Sequence, residues 1–411
     1  MSNKKKLIPA LRFPEFKEDG EWEDLLLSEV LEEHGIKSQG DEDVYSVSVH
    51  KGIINQIEHL GRSFAASNTD KYKRVLPGDI VYTKSPTGSF PYGIIKQSKI
   101  EYPVIVSPLY GVFTPKTKWL GSILDAYFEA PERTTNYLAP IVQKGAKNTI
   151  NIRNDIFLSK SLVLPVRKKE QQKIADCLSS LDDLLAAHNE KLELLKGHKK
   201  GLMQNLFPQE GERVPKFRFP EFENDGEWRY LNGNELFQPI SNKKHNSDLP
   251  ILAITQDLGA IPRDLIEYTV IATKNSIKNY KVVEKGDFII SLRSFQGGIE
   301  YSLYHGICSP AYIILRKRFE LNDEFYKHYF KTPLYIQCLN RNIEGIRDGK
   351  MVSYNQFSEI ALPYPQIPEQ KKIASCLSAV DDLIKAETEK IEALKEHKKG
   401  LMQGLFPKME N

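Results

Sequence analysis

Apolar residues recur in alternating steps of four and three at Ile174, Leu178, Leu181 and Leu185, then at Leu192, Leu195, Leu202 and Leu206. The same steps return at Ile373, Leu377, Val380, Ile384, Ile391, Leu394, Leu401 and Leu405. A seam of this period, held over about five heptads, predicts a coiled coil rather than an ordinary surface helix. At 1.5 Å per residue each helix is expected to run on the order of 55 Å. Pro368 and Glu369 suit the start of the second helix, and Pro208 and Pro407 stop both. Polar residues break the two seams at matching places: His188 and Glu387, then Lys199 and Lys398. Such breaks fix register at some cost in stability. In an antiparallel pair His188 and Glu387, near the seam middles, are expected to face each other. The competing reading packs each helix on its own module as core.

The seams belong to a longer repeat. Glu170–Pro208 and Glu369–Pro407 agree at 27 of 39 positions, at an offset of 199. Pro9–Trp22 (PALRFPEFKEDGEW) returns as Pro215–Trp228 (PKFRFPEFENDGEW), at an offset of 206. The sequence between these blocks diverges. This pattern predicts a pseudo-twofold chain of α+β class, with a duplicated scaffold and two modules free to differ. The expected organisation is a first module over 1–165, a central helix over 166–208, a second module over 209–366 and a C-terminal helix over 367–411. Short β-rich runs at Ile80–Thr83 and Phe288–Ser291 each follow a Gly-Asp pair, and Val104–Val106 and Tyr312–Leu315 are further runs. Ser107-Pro108-Leu109-Tyr110 echoes Ser309-Pro310-Ala311-Tyr312, and Tyr127-Phe128 echoes Tyr329-Phe330. The modules are therefore expected to share one fold.

At 411 residues the chain is long enough for two or three cores. No apolar run approaches a membrane span, and the basic start MSNKKKLIPA lacks the apolar stretch of a signal peptide. The four cysteines form no C-x-x-C pair, which argues against zinc. Cys177 and Cys376 are expected to be reduced core residues, as in a cytoplasmic protein. Net charge is only +3. Residues 31–160 hold 16 basic against 13 acidic side chains, and 231–366 hold 16 against 14. Any nucleic-acid surface must then be a patch rather than a whole face.

Catalytic constellations are missing from the sequence. It contains no P-loop and no G-x-G-x-x-G opening a helix. It also lacks the Asn/Asp-Pro-Pro-aromatic tetrapeptide that amino-methyltransferases use on a target base. Glu15-Phe16-Lys17 resembles a nuclease carboxylate–lysine pair, but its repeat is Glu221-Phe222-Glu223. The histidines show no H-x-x-x-H spacing, so no metal is expected. Recognition or assembly remains.

Two divergent modules, each followed by a long helix opening Glu-Gln-x-Lys-Ile-Ala soon after a proline, resemble the specificity subunit of type I restriction–modification enzymes. The openings here are Pro165–Ala175 and Leu362–Ala374. The Gly-Leu-Met-Gln-x-Leu-Phe ends (Gly201–Phe207 and Gly400–Phe406) and the Leu11–Trp22 opening resemble that family too. Arg167-Lys168-Lys169 departs from the second copy's Gln366-Ile367-Pro368. The resemblance implies a non-catalytic, sequence-specific DNA-binding chain. Its two target-recognition domains would each read one half of a split double-stranded site. Its helices would pair antiparallel, set the spacing and dock two modification (methyltransferase) subunits. S-adenosylmethionine would sit on those partners, with ATP and Mg on restriction (translocase and nuclease) subunits in the full complex. The chain itself would hold no cofactor.

Sequence is read from base edges while Lys and Arg hold phosphates. The candidates are accordingly polar and basic loop residues where the modules differ. In the first module these are His50, Lys51, Lys84, Ser85, Lys144, Lys147 and Asn148. In the second they are Gln256, Arg293, Ser294, Arg347, Lys350 and Tyr354. The Gly145–Asn148 and Gly345–Lys350 loops occupy comparable positions before each helix. The runs His198-Lys199-Lys200 and His397-Lys398-Lys399 admit two roles, phosphate contact or complementing the helix C-terminal dipole. Leu202, Met203, Phe207, Leu401, Met402 and Phe406 are candidates for the subunit interface, with coiled-coil core as the alternative. A protein-binding adaptor built on the coiled coil is the other functional class the sequence allows.

Overall fold

The structure is a computed structural model; it describes residues 7–40, 42–62, 68–144, 150–246, 248–266, 277–341 and 352–407. Two long helices, Lys168–Leu206 and Ile367–Leu405, account for the periodic seams. The rest forms two modules of the same topology. Each opens on a short 3-10 turn at the repeated Pro-Glu-Phe, Pro14–Phe16 and Pro220–Phe222, where proline pre-sets the first φ. Each closes on a two-stranded antiparallel sheet joining its start to its end. Glu23–Leu26 pairs with Ser161–Leu164, and Arg229–Asn232 with Ala361–Tyr364.

Inside each module lies a four-stranded antiparallel sheet. The order is Leu31–Glu33, Gly111–Pro115, Ile80–Tyr82, Ile95–Gln97 in the first. It is Phe237–Ile240, Ile313–Lys317, Phe288–Ile290, Glu300–Tyr301 in the second. A hairpin and a further strand pair flank each sheet at matching positions. The Gly-Asp pairs noted in the sequence are turns before the central strand. Gly78 and Gly286 sit at φ of +88° and +96°, and the next aspartate accepts a backbone N–H, from Leu76 at 2.7 Å and from Glu284 at 2.8 Å. Shared topology with divergent sequence is what the faint echoes predicted.

The chain divides into two compact units, residues 1–189 with 390–411, and residues 190–389. Neither follows chain order. In the first unit Ile174 and Leu178, from the start of the central helix, share a core with Met402, Leu405 and Phe406, from the end of the C-terminal helix. Lys398 Nζ reaches Asp182 there at 2.7 Å. In the second unit Ile373 and Leu377 share a core with Leu206 and Phe207, and Lys199 reaches Asp381 at 2.5 Å. Within each unit, higher numbers on one helix meet lower numbers on the other, so the paired segments run antiparallel. The start of each helix is core of its own module, as the competing reading had it, but its end is core of the other, while the middles pair helix to helix. Lys199 and Lys398, from the two basic runs, are thus each held by a carboxylate of the facing helix. They are matched interhelical ion pairs. Glu387, expected opposite His188, accepts from Lys191 Nζ at 2.8 Å.

One buried knot in each unit explains why the two repeated motifs travel together. The Glu170 carboxylate takes both arms of the Arg12 guanidinium, at 2.7 and 2.8 Å, and the Trp22 indole N–H at 3.0 Å. Glu369 takes Arg218 at 2.8 and 2.8 Å and Trp228 at 3.0 Å. Donating both hydrogen bonds to the Glu170 carboxylate raises the Arg12 pKa above its ordinary value, and Glu369 does the same to Arg218. The adjacent glutamines finish the helix starts. Gln171 Nε2 donates to Pro165 O and Gln370 Nε2 to Pro365 O, both at 2.8 Å. The Arg-Phe-Pro opening therefore rivets each module to the first turn of the helix that follows it. Glu15, half of the nuclease-like pair, forms an exposed ion pair with Lys173 at 3.2 Å, as Glu221 does with Lys372 at 2.9 Å.

Candidate nucleic-acid interface

Seven of the candidate residues fall on the same two loops of the two modules. His50 and Lys51 cap the hairpin between Tyr45–Ser48 and Gly52–Asn55, and both are exposed. Gln256 lies on the corresponding hairpin turn, between Leu252–Thr255 and Gly259–Pro262, and is also exposed. The second loop leaves the central strand. It carries Lys84 and Ser85 after Ile80–Tyr82, and Arg293 and Ser294 after Phe288–Ile290.

Lys84 is the one non-glycine residue at positive φ among those described, at +60°. Such a backbone costs a β-carbon-bearing residue on the order of 1–2 kcal/mol. It persists because Gly93 packs on it; a β-carbon at Gly93 would meet Lys84 N at 2.8 Å. Burial pulls the Lys84 ammonium below the usual lysine value, and neighbouring Lys73 adds to this. In the second module Gln256 Nε2 donates to Arg293 O at 3.3 Å, so the fold brings these two candidates together. Lys331, which the sequence reading passed over, braces them. Its Nζ reaches Gln256 O at 3.2 Å, Gly297 O at 2.9 Å and Glu300 at 2.6 Å. Burial raises the Glu300 carboxyl to about 7. An alternation pattern in a short strand gives no sign of such a cross-sheet brace.

Two candidates are corrected by burial. Ser294 is 1% exposed, and its hydroxyl accepts from Ser291 N at 2.9 Å, so it shapes the loop rather than facing a ligand. Tyr354 is half-buried with its hydroxyl donating to Phe237 O at 3.1 Å; it ties a helix start to the sheet. Lys144 lies in the two-residue strand Gln143–Lys144. Lys147, Asn148, Arg347 and Lys350 lie outside the described residues.

The proposed subunit-interface residues are corrected in the same way. Phe207 is 2% exposed and packs on Phe325 and Tyr329 at centroid distances of 5.3 and 5.5 Å. Phe406 is 2% exposed, packs on Tyr127 at 5.3 Å and lies under the Arg133 guanidinium at 4.7 Å. Met402 is buried, and Leu202, Met203 and Leu401 pack against the same cores. These side chains hold helix ends into modules, with Leu202, Met203 and Leu401 only partly covered. The long helices do present other apolar groups: Leu184 and Leu383, repeat equivalents at 42% and 56% exposure, and Leu194 at 67%.

Cys177 and Cys376, expected in the core, are half-buried at its margin, and all four cysteines are free thiols. Among the described residues no cluster of three His, Cys, Asp or Glu side chains suits a metal, and no helix is long and apolar enough to cross a membrane. His328 is 2% exposed, with its Nε2 at 3.2 Å from Ser378 Oγ, and burial pulls its pKa down to about 3. The unfolded chain takes up that proton near pH 6.5, so the second unit should lose stability as pH falls from there. The expected slope is about 1.4 kcal/mol per pH unit at most, between roughly pH 6 and pH 3. Urea midpoints of wild type and His328→Gln, compared across this range, check it. Parallel pH profiles would show that His328 is not the sensor.

Residues 42–196 and 207–396 match the family described as type I restriction modification DNA specificity domain. The chain is 28% identical over 262 residues to a putative type I restriction enzyme MjaX specificity subunit of Methanocaldococcus jannaschii, covering 60% of this chain and 59% of that one. It is 24% identical over 273 residues to the MjaVIII specificity subunit of the same organism, covering 62% and 63%. The matched region thus spans less than two thirds of either relative. Among solved structures, the S subunit of a type I restriction-modification system from M. genitalium superposes with a TM-score of 0.59. It is 14% identical, over 98% of this chain and 100% of that one. A chain from a structure of type I R-M complex assembly and conformational transition gives 0.51 at 17% identity, over 94% and 97%. These two likenesses concern the fold.

Proposed function

Since the chain belongs to the type I restriction modification DNA specificity family, we propose that it is a non-catalytic specificity subunit that reads a split duplex site, one module per half-site. The observation that carries this reading is the repeated topology with different tips. The hairpin and central-strand loops come from the same places in both modules, yet offer His50, Lys51, Lys84 and Ser85 in one and Gln256 and Arg293 in the other. A common frame with exchanged polar tips suits reading two different base sequences. The helices would set the separation and receive two modification subunits, with Leu184 and Leu383 as apolar contacts. Those partners would carry S-adenosylmethionine, and restriction subunits in the full complex would use ATP and Mg.

The test is base-resolved mapping of adenine methylation in cells carrying this chain with its modification subunit, against cells lacking only this chain. A split motif that disappears with the chain is the expected result. No difference, with the modification subunit active beside another specificity chain, would turn the reading toward a protein-binding adaptor.

A further inference from the structure

Lys73 opens the strand Lys73–Val75 and stands opposite Val106, the last residue of Val104–Val106. Lys281 opens Lys281–Val283 and stands opposite Cys308, the last residue of Gly306–Cys308. Both facing strands run straight into the Ser-Pro-x-Tyr echo, and the two turns are built alike. Tyr110 N donates to Ser107 O and Tyr312 N to Ser309 O, each at 3.1 Å. Leu109 N and Ala311 N each donate to the turn's serine Oγ at 3.3 Å. Each lysine then donates to the tyrosine carbonyl, Lys73 Nζ to Tyr110 O and Lys281 Nζ to Tyr312 O, both at 2.7 Å. On the other side, Arg74 N donates to Ile36 O at 2.8 Å and Val282 N to Asn242 O at 2.7 Å. These bonds seat exposed Lys37 beside Lys73 and exposed Lys243 beside Lys281.

The charges in this arrangement are unbalanced. An ammonium has three donors, and the carbonyl engages one. Lys73 and Lys281 are half-buried, and neither forms an ion pair among the described residues. Burial pulls both below the usual lysine value; Glu33 opposes this at Lys73 and Cys308 at Lys281, while the second lysine of each pair adds to it. Lys199, Lys317, Lys331 and Lys398, by contrast, are each matched to a carboxylate. The acid near Lys73 is Glu33, whose carboxylate accepts from Asn154 Nδ2; the corresponding strand position in the second module is Pro239. Two like charges with spare donors, one partly desolvated, favour an anion between them.

Resting on the DNA-binding reading above, we propose that Lys37 with Lys73, and Lys243 with Lys281, form one phosphate clasp in each module that grips the DNA backbone beside its half-site. The clasp recurs where the base-reading loops differ, so it fixes position on the duplex and carries no sequence preference.

The test measures binding of the full chain, complexed with its modification subunits, to a duplex carrying the methylated motif across 50–200 mM NaCl. Lys37→Ala with Lys243→Ala removes two exposed side chains and spares the fold. The slope of log K against log salt should fall by about 2, about one per lysine, and affinity near 0.15 M salt by on the order of tenfold. The methylated motif should not change. Lys73→Gln with Lys281→Gln should act likewise, and the arginine variants at those positions should keep the wild-type slope. An unchanged slope in both pairs, with wild type binding normally, overturns the clasp and leaves the specificity reading standing. A changed motif also overturns it, because the lysines would then read bases. Absence of salt-dependent binding by the wild-type complex removes the DNA-binding reading and the clasp with it.

Discussion

Glu369→Ala is expected to lower the stability of the second unit by about 3–5 kcal/mol, the cost of leaving a buried charge without its partner. The Glu369 carboxylate takes two Arg218 nitrogens and the Trp228 indole, and its side chain is 1% exposed against 7% for Arg218. Alanine leaves the guanidinium without a counter-charge, its Nη1 still donating to Gly226 O, and the indole N–H without its acceptor. Replacing both charged partners, Arg218→Met with Glu369→Leu, should cost markedly less than Glu369→Ala alone, since no charge is then stranded. The equivalent knot at Arg12, Trp22 and Glu170 is untouched, so the loss should be confined to residues 190–389. Urea unfolding followed by amide hydrogen exchange in each unit reads both quantities. A loss below about 1 kcal/mol would mean that the knot is solvated and does not hold the module to its helix.

Removing residues 185–191 and 384–390, which spares Leu184 and Leu383, is expected to change the spacer of the methylated motif while leaving both half-sites as they are. Seven helical residues are about 10.5 Å at 1.5 Å per residue. That is about three base pairs at 3.4 Å each. The deletion lies between the contacts that seat each module. Asp182 with Lys398 and Lys199 with Asp381 remain, as do the buried helix starts at Ile174 and Ile373. A whole heptad also restores the phase of the seam. Methylation mapping reads the result directly. The original spacer in the methylated motif would show that the helices do not set the separation.

Much of this molecule was legible in its sequence, because the information was periodic or duplicated. A seam in steps of four and three has one economical solution, a long helix against another. A 39-residue repeat with matching polar breaks implied matching helices. The Ser-Pro-x-Tyr and Gly-Asp echoes implied a shared module fold, since turns of defined geometry demand particular residues at particular offsets. What the sequence could not show is which distant groups share a core. Phe207 and Phe406 looked like exposed helix-end anchors, yet each closes a module other than the one its helix begins in. Ser294 and Tyr354 looked like loop readers, yet their hydroxyls are taken by backbone. Lys331 and the paired lysines Lys37–Lys73 and Lys243–Lys281 carried no local signal, because a lysine's partners lie across a sheet or a turn. Local pattern determined the helices, the turns and the duplication. Tertiary structure decided burial and charge pairing, because those depend on contacts between residues apart in the chain, from Lys73 with Tyr110 to Arg12 with Glu170 and Arg218 with Glu369.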